Sequence, residues 1–348
     1  LNFNAGSSTL ENTAASIGGI TVDAAGTATD DALSIVHGGA SAVNSINGQT
    51  LISTDFESIT LDTTGTGAAG AQTVGAIAMT GSTGGTTSFN LTGSNSVTIA
   101  ATTANVIDAS GLTGTTGVTM NAAAVGVTTI TGSAGIDALI GDASSTINGG
   151  GGVDTITGGS GNDVINGDAG NDIIDSNAGT DTVNAGAGND TVNISTDADI
   201  GSGDAYIGGA GTDTLAFNAV QTTNGAAELQ GVSGFEVLTM ATTATESLSM
   251  SDFINNANFE RVDFGQGGTG TLTVTNASAA TNDVRMLLGV VGDSVVFDRL
   301  IDTSANSLTV TTTGNVGTAV IAATFDDEET LSFAGTSAAN DLVITTLN

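Results

Sequence analysis

Carboxylates repeated at one fixed interval are the chemistry this chain offers first. Asp154, Asp163, Asp172, Asp181 and Asp190 stand nine residues apart, and each precedes by two places a branched aliphatic: Ile156, Ile165, Ile174, Val183 and Val192. The repeating unit reads GGGGVDTIT (Gly149–Thr157), GGSGNDVIN (Gly158–Asn166), GDAGNDIID (Gly167–Asp175), SNAGTDTVN (Ser176–Asn184) and AGAGNDTVN (Ala185–Asn193). A sixth copy, GGAGTDTLA, occupies Gly208–Ala216, and a looser one, GSAGIDALI, occupies Gly132–Ile140. These add Asp213 and Asp137 to the series, while Asp204 regains the nine-residue step to Asp213. Acidic side chains between glycine-rich turns present carboxylate and backbone carbonyl oxygens, a hard and flexible donor set. Such a set suits Ca²⁺ better than Mg²⁺ or Zn²⁺.

The elements that position these oxygens follow from the same nine residues. Glycine reaches positive φ without steric cost, so G-G-x-G-x-D is a tight turn. The remaining x-U-x is long enough only for a short strand, with U on one face and its neighbours on the other. Two nonapeptides then make one coil (turn, strand, turn, strand), and stacked coils bury the Ile/Val column as a parallel β-roll. Equivalent aspartates one coil apart would lie about 4.8 Å from each other. Two carboxylates at that distance repel by roughly 1–3.5 kcal/mol, for effective dielectrics between water and a protein surface. A cation between the turns removes that penalty, so calcium is expected to be required for folding.

The array frays at its ends. GDASSTIN (Gly141–Asn148) is one residue short and lacks both the fourth-position glycine and the aspartate, and ISTDADIGSGDAYI after Asn193 breaks the phase before Asp204 restores it. Upstream of Thr131 small polar and aliphatic residues alternate, as in Ser96-Val97-Thr98-Ile99-Ala100, with turns every 8–12 residues. This is strand texture. It returns after Phe217, with short helices expected near Gly225–Gln230 and Ser251–Asn256. A second repeat links the flanks: Phe56-Glu57-Ser58-Ile59-Thr60-Leu61, Phe235-Glu236-Val237-Leu238-Thr239-Met240 and Phe259-Glu260-Arg261-Val262-Asp263-Phe264, with a weaker echo at Glu329–Phe333. Each is read as one strand per coil of a larger β-helix. The expected fold class is all-β, a parallel β-roll or β-helix (β-solenoid) with stacked turns. Its expected divisions are a Ser/Thr/Ala/Gly-rich solenoid segment over 1–131, the roll over 132–216 and a second solenoid segment over 217–348.

Composition narrows the function classes. The chain has no Cys, Pro, Trp or Lys, only three arginines (Arg261, Arg285 and Arg299), and a formal net charge of −33. Nucleic acid is excluded as an expected partner because phosphate binding needs clustered basic residues. No apolar run reaches the length of a membrane span. Without disulfides, a chain working outside cells needs another staple, and millimolar extracellular Ca²⁺ stabilises by mass action whatever binds it only when folded. An N-terminus at Leu1, with no Met and no secretory signal, is expected of a fragment or processed product. No HExxH and no G-x-S-x-G occurs, and His37 is the only histidine. Asp30-Asp31 and Asp326-Asp327-Glu328-Glu329 read as solvated acidic turns or extra cation sites, and Asn90-Leu91-Thr92 as an incidental glycosylation sequon. The chain is expected not to be an enzyme.

The nonapeptides over 132–216 resemble the G-G-x-G-x-D-x-U-x repeat of RTX calcium-binding proteins. The join of GGAGTDTLAF to GVSGFEVLTM, the Thr/Ala/Gly texture and the lack of Lys are similar to RTX-bearing surface-layer proteins of Gram-negative bacteria. That resemblance implies Ca²⁺ as cofactor, export by a type I system, an extracellular cell-surface location and assembly of identical copies into a two-dimensional lattice. A cell-surface polysaccharide is a further implied partner, through a region the sequence does not single out. The resemblance also implies ligands. The carboxylates would be Asp137, Asp154, Asp163, Asp168, Asp172, Asp181, Asp190, Asp204 and Asp213. The turn carbonyls would come from Gly149, Gly150, Gly151, Gly152, Gly158, Gly159, Gly161, Gly167, Gly170, Gly179, Gly186, Gly188, Gly208, Gly209 and Gly211. Two alternatives stay open: a calcium-stiffened rod within a giant secreted adhesin, and the RTX tail of an enzyme whose catalytic part lies elsewhere.

Overall fold

The computed structural model describes residues 2–4, 7–12, 20–25, 31–37, 50–54, 56–64, 72–80, 85–100, 102–121, 129–218, 226–240, 246–249, 255, 259–264, 271–277, 283–286, 294–299, 307–312, 318–324, 330–335 and 341–347. Throughout these residues the chain is an all-β parallel solenoid. The helix Ala226–Leu229 falls where Gly225–Gln230 had the composition for one. Of the second expected helix, only Asn255 lies among the described residues, in a turn. The chain divides into two compact units, Leu1–Ser176 and Asn177–Asn348, so the division falls inside the nonapeptide array.

In the first unit one column of inward residues runs without a break from the flank into the roll. Leu33 pairs in register with Ile59, Ile59 with Phe89, Phe89 with Ile107, and Ile107 with Ile130. Ile130 then pairs with Ile147 and Ile147 with Ile165. All seven are buried. The facing sheet repeats the arrangement through Met120, Leu139, Ile156 and Ile174. Period-two alternation puts one side chain per short strand inward, which is why the small-residue composition suffices: each coil covers only its neighbours.

The second unit stacks Val183 on Tyr206 on Val232 in one sheet, and Val192 on Leu215 on Leu238 in the other. Its nonapeptide coils are longer than those of the first unit. Equivalent ladder positions in the nonapeptide part lie 17 or 18 residues apart in the first unit and 23 apart in the second. The extra length is the phase-breaking stretch after Asn193, folded as a closed loop: Asp199 accepts hydrogen bonds from the amides of Ser195 (2.9 Å) and Thr196 (2.7 Å) and from the Thr196 hydroxyl (2.6 Å). Tyr206 anchors the loop by donating its hydroxyl to the Asp199 carbonyl. The Phe-Glu segments sit as expected, each opening a strand: Ser58–Asp62, Val237–Met240 and Arg261–Phe264. Phe56, Phe235 and Phe259 are buried. Further along, Arg261 lies in register with Asp283 and Asp263 with Arg285, and Arg261 Nε contacts Asp263 at 3.0 Å. Among the described residues no helix is long and apolar enough to cross a membrane.

Ile156 is buried between Leu139 and Ile174 of adjacent coils. Ile156→Ala should cost about 2–5 kcal/mol in urea unfolding at saturating calcium. Val164→Ala, on the outward face, should stay within about 0.5 kcal/mol. Equal losses for the two would contradict the assigned inward column.

Candidate metal centre: the carboxylate ladder

At the start of several strands one amide is accepted by a carboxylate or side-chain amide one coil further on. In the first unit the Asp137 amide donates to Asp154 Oδ1 (2.8 Å), the Asp154 amide to Asp172 Oδ1 (2.8 Å) and the Ser145 amide to Asp163 Oδ1 (2.6 Å). In the second unit the Asp181 amide donates to Asp204 Oδ1 (2.7 Å), the Asp190 amide to Asp213 Oδ1 (2.9 Å) and the Asp213 amide to Glu236 Oε2 (2.8 Å). The flank uses the same device: the Asp31 amide donates to Glu57 Oε2 (3.1 Å) and the Thr87 amide to Asn105 Oδ1 (2.9 Å). A buried amide left unpaired would cost about 1–3 kcal/mol, so every such acid or amide has a structural duty before any metal arrives.

That duty uses one oxygen per carboxylate, and the fate of the other divides the aspartates. Asp154 and Asp213 are 0 % exposed, and Oδ2 of each accepts no hydrogen bond. Others have both oxygens occupied by protein donors. Asp137 accepts from the amides of Val118 and Ser133 and from the Ser133 hydroxyl. Asp163 Oδ2 takes the Gly159 amide and Asp204 Oδ2 the Gly201 amide. The sequence series is therefore not uniform.

Backbone oxygens converge where the second oxygen points. A Cβ added to Gly149 would stand 2.7 Å from Asp154 Oδ2 and 2.6 Å from the Gly167 carbonyl oxygen of the next coil. On the other edge a Cβ on Gly158 would stand 2.7 Å from Asp163 Oδ2 and against the Ser176 carbonyl. Gly149 and Gly158 thus each leave a small space lined by a carboxylate of their own turn and a carbonyl of the next. Gly150 and Gly152 take positive φ, 100° and 119°. The turns holding Gly186, Gly188, Gly209 and Gly211 repeat this pattern. Asp168 occupies the second turn position with φ 69° and is exposed, outside the buried row. Gly159 and Gly161 are pressed against the Asp142 and Ala143 carbonyls, and Gly170 against the Gly152 carbonyl. Gly151 has only ordinary contacts, with Ala134 3.7 Å from its added Cβ. Gly179 lies in the turn before Asp181. In the short copy GDASSTIN, Ser145 stands in the aspartate's place and its hydroxyl accepts the Asp142 amide (3.0 Å).

Electrostatics point the same way. Burial raises the pKa of Asp154 to about 7, assisted by the charges of Asp137, Asp172 and Asp168 and opposed by the Asp137 amide. Burial also raises Asp213 to about 6, with Asp190 and Glu236 adding to the shift against the Asp190 amide. Asp137, Asp163 and Asp204 are raised by burial as well, against their hydrogen-bond donors. Among the described residues no three His, Cys, Asp or Glu side chains converge as a metal cluster. A cation here must draw much of its shell from carbonyls, which Ca²⁺ accepts and Zn²⁺ does not favour. The orphaned buried oxygens and the glycine-bounded space fit such an ion.

The arrangement is an all-β parallel solenoid whose nonapeptide turns are of the calcium-binding kind. The family model of the RTX calcium-binding nonapeptide repeat (4 copies) matches residues 144–174 and 157–192. None of the curated proteins compared with the chain matches it. Glu236 escaped the sequence reading because it was assigned to the Phe-Glu strand repeat. Its available signal was the triplet Gly234-Phe235-Glu236, which parallels Gly211-Thr212-Asp213. Asp30 and Asp326–Glu329 lie outside the described residues, and His37 ends the strand Ala32–His37.

Two predictions follow from the division of the aspartates. Asp154→Asn should raise the calcium midpoint of folding roughly tenfold or more, in line with loss of a charged contact. Asp137→Asn, whose oxygens already have donors, should leave that midpoint within about twofold. Circular dichroism during calcium titration compares them, and equal shifts would contradict the division. The second concerns pH. A carboxyl whose folded pKa exceeds the unfolded value makes the folded state bind more protons, so metal-free stability falls as pH rises through about 6 to 7. In EGTA, acidification from pH 8 to pH 5 should therefore increase β-structure. With calcium present the sign reverses, because protons compete for the ligands and the calcium midpoint should rise as pH falls below about 7. Parallel trends with and without calcium would overturn the assignment.

Proposed function

We propose that the chain is a calcium-stapled structural segment of a bacterial surface layer, secreted and assembled from identical copies into a lattice on the cell. Its RTX repeats fit a secreted calcium-binding structural protein, and such β-roll repeats are typically structural rather than enzymatic. In this reading the ions lie between turns one coil apart. In the first unit they are held by Asp154 and Asp172 with carbonyls of the Gly149–Gly152 and Gly167–Gly170 turns; in the second unit they are held by Asp190 and Asp213 with carbonyls of the Gly186–Gly188 and Gly208–Gly211 turns. In the second unit Asp181 serves on the other edge.

The observation that carries self-assembly is a largely aliphatic outward face in the first unit, with Asp175 as the one acid in its rows. Ile136, Ile140, Val153 and Ile173 are 56 %, 38 %, 49 % and 46 % exposed. Between them, Ala138 pairs with Thr155 and Thr155 with Ile173 on adjacent coils. Copies bearing a net charge of −33 repel at long range, so they approach best where aliphatic side chains dominate a face. A rod whose task is reach alone has no use for such a face, which favours the lattice over the adhesin segment. Association driven this way is assisted by monovalent salt through screening.

Electron microscopy with and without Ca²⁺, across a NaCl series, tests the proposal. Ordered sheets that form in calcium, persist or grow with NaCl and vanish on chelation are expected. Isolated rods under every condition would favour the adhesin segment. Sheets dissolved by NaCl would mean that ion pairs, not the aliphatic face, hold them together.

A further inference from the structure

In the second unit the ladder continues past the last nonapeptide. Gly208–Asp213 is a complete turn, and its Asp213 takes the Asp190 amide on Oδ1 and gives its own amide to Glu236 Oε2. The corner that receives it is only Gly234-Phe235-Glu236. Pairing of Tyr206 with Val232 and Ile207 with Ser233 brings Gly234 level with Gly208, so the corner lacks three residues of a full turn. One carbonyl nevertheless fills a familiar place. The Gly234 oxygen faces the position a Cβ on Gly208 would occupy, as the Gly167 oxygen faces Gly149 beside Asp154. Gly234 reaches this geometry with φ 72°. Asp213 is fully buried and its Oδ2 has no hydrogen-bond partner, the same signature as Asp154. Glutamate is one methylene longer than aspartate, and that extra reach compensates for the shortened backbone of the corner.

We infer that the stack carries one cation site more than its repeats spell out, between the turn Gly208–Asp213 and the corner Gly234–Glu236. Its ligands are Asp213, Glu236 and the Gly234 carbonyl, and its occupant is a hard divalent cation, Ca²⁺. This rests on the calcium-turn reading above. The rival role for Glu236 is purely structural, as acceptor for the Asp213 amide. Glutamine can do that equally well, because its side-chain oxygen accepts the same bond, but it brings no charge to an ion.

Glu236→Gln in the full chain separates the two roles. Calcium equivalents are counted by isothermal titration calorimetry alongside Asp154→Asn, with far-UV circular dichroism in saturating calcium as the check on folding. The expected result is a native spectrum with one equivalent lost or weakened at least tenfold in Glu236→Gln. An unchanged calcium count in Glu236→Gln, with a reduced count in Asp154→Asn, would overturn this site and leave the calcium turns standing. Unchanged counts in both would overturn the turn assignment and this site with it. Should Glu236→Gln fail to fold, Gly234→Ala is read in its place. It keeps both carboxylates but strains the positive φ that aims the carbonyl, and a full set of tight equivalents there would overturn the site.

Discussion

A carboxylate withdrawn from water must be matched by a cation, a proton or hydrogen-bond donors, and the solenoid turns on how each coil meets that demand. Along the edges of the stack an acid accepts the amide that opens a strand one coil earlier. The acid therefore has to be buried and has to point along the stack. Its second oxygen is then committed to the interior, where solvent cannot reach it. At Asp137, Asp163 and Asp204 neighbouring amides complete the shell. At Asp154 and Asp213 they do not, and burial raises the pKa of each. Oxygen satisfaction is thus a local property of particular turns, and the same ladder runs through the flank with Glu57 and Asn105 as acceptors.

The closed loop after Asn193 shows how a coil can lengthen without breaking the stack. Asp199 gathers two amides and a hydroxyl from its own loop, so this acid needs neither a cation nor an adjacent coil. The inserted residues leave through the turn and return in register, with Val183 still on Tyr206 and Val192 on Leu215. A fold built from nearest-neighbour interfaces tolerates this because no distant contact depends on coil length. Aromatic residues mark the change of regime. Tyr206 ties the loop down, and Phe235 and Phe259 are buried at the corners that follow. Beyond those corners Arg261 and Arg285 stand in register with aspartates, so opposite charge enters the sheet where nonapeptide turns have ended.

Much of this was legible in the sequence. Period nine put Asp and Ile/Val in constant phase, and a strand only three residues long has one inward side chain, so coil, core column and turn followed from spacing alone. The all-oxygen donor set pointed to calcium for the same reason. The Phe-Glu repeat announced one strand per coil, because a bulky residue before an acid and an alternating run has few other uses in a chain so poor in aromatics. What spacing could not tell was which acids lack donors. Asp137 and Asp154 occupy the same position of the same motif, yet only Asp137 has Ser133 and Val118 around it, and Val118 belongs to the preceding coil. Nor could spacing align Glu236 with Asp213, because the corner is three residues short and only strand register brings them together. Sequence determined what repeats. Tertiary structure decided which oxygen of each acid is satisfied, since that depends on donors contributed by neighbouring coils at distances no linear interval records.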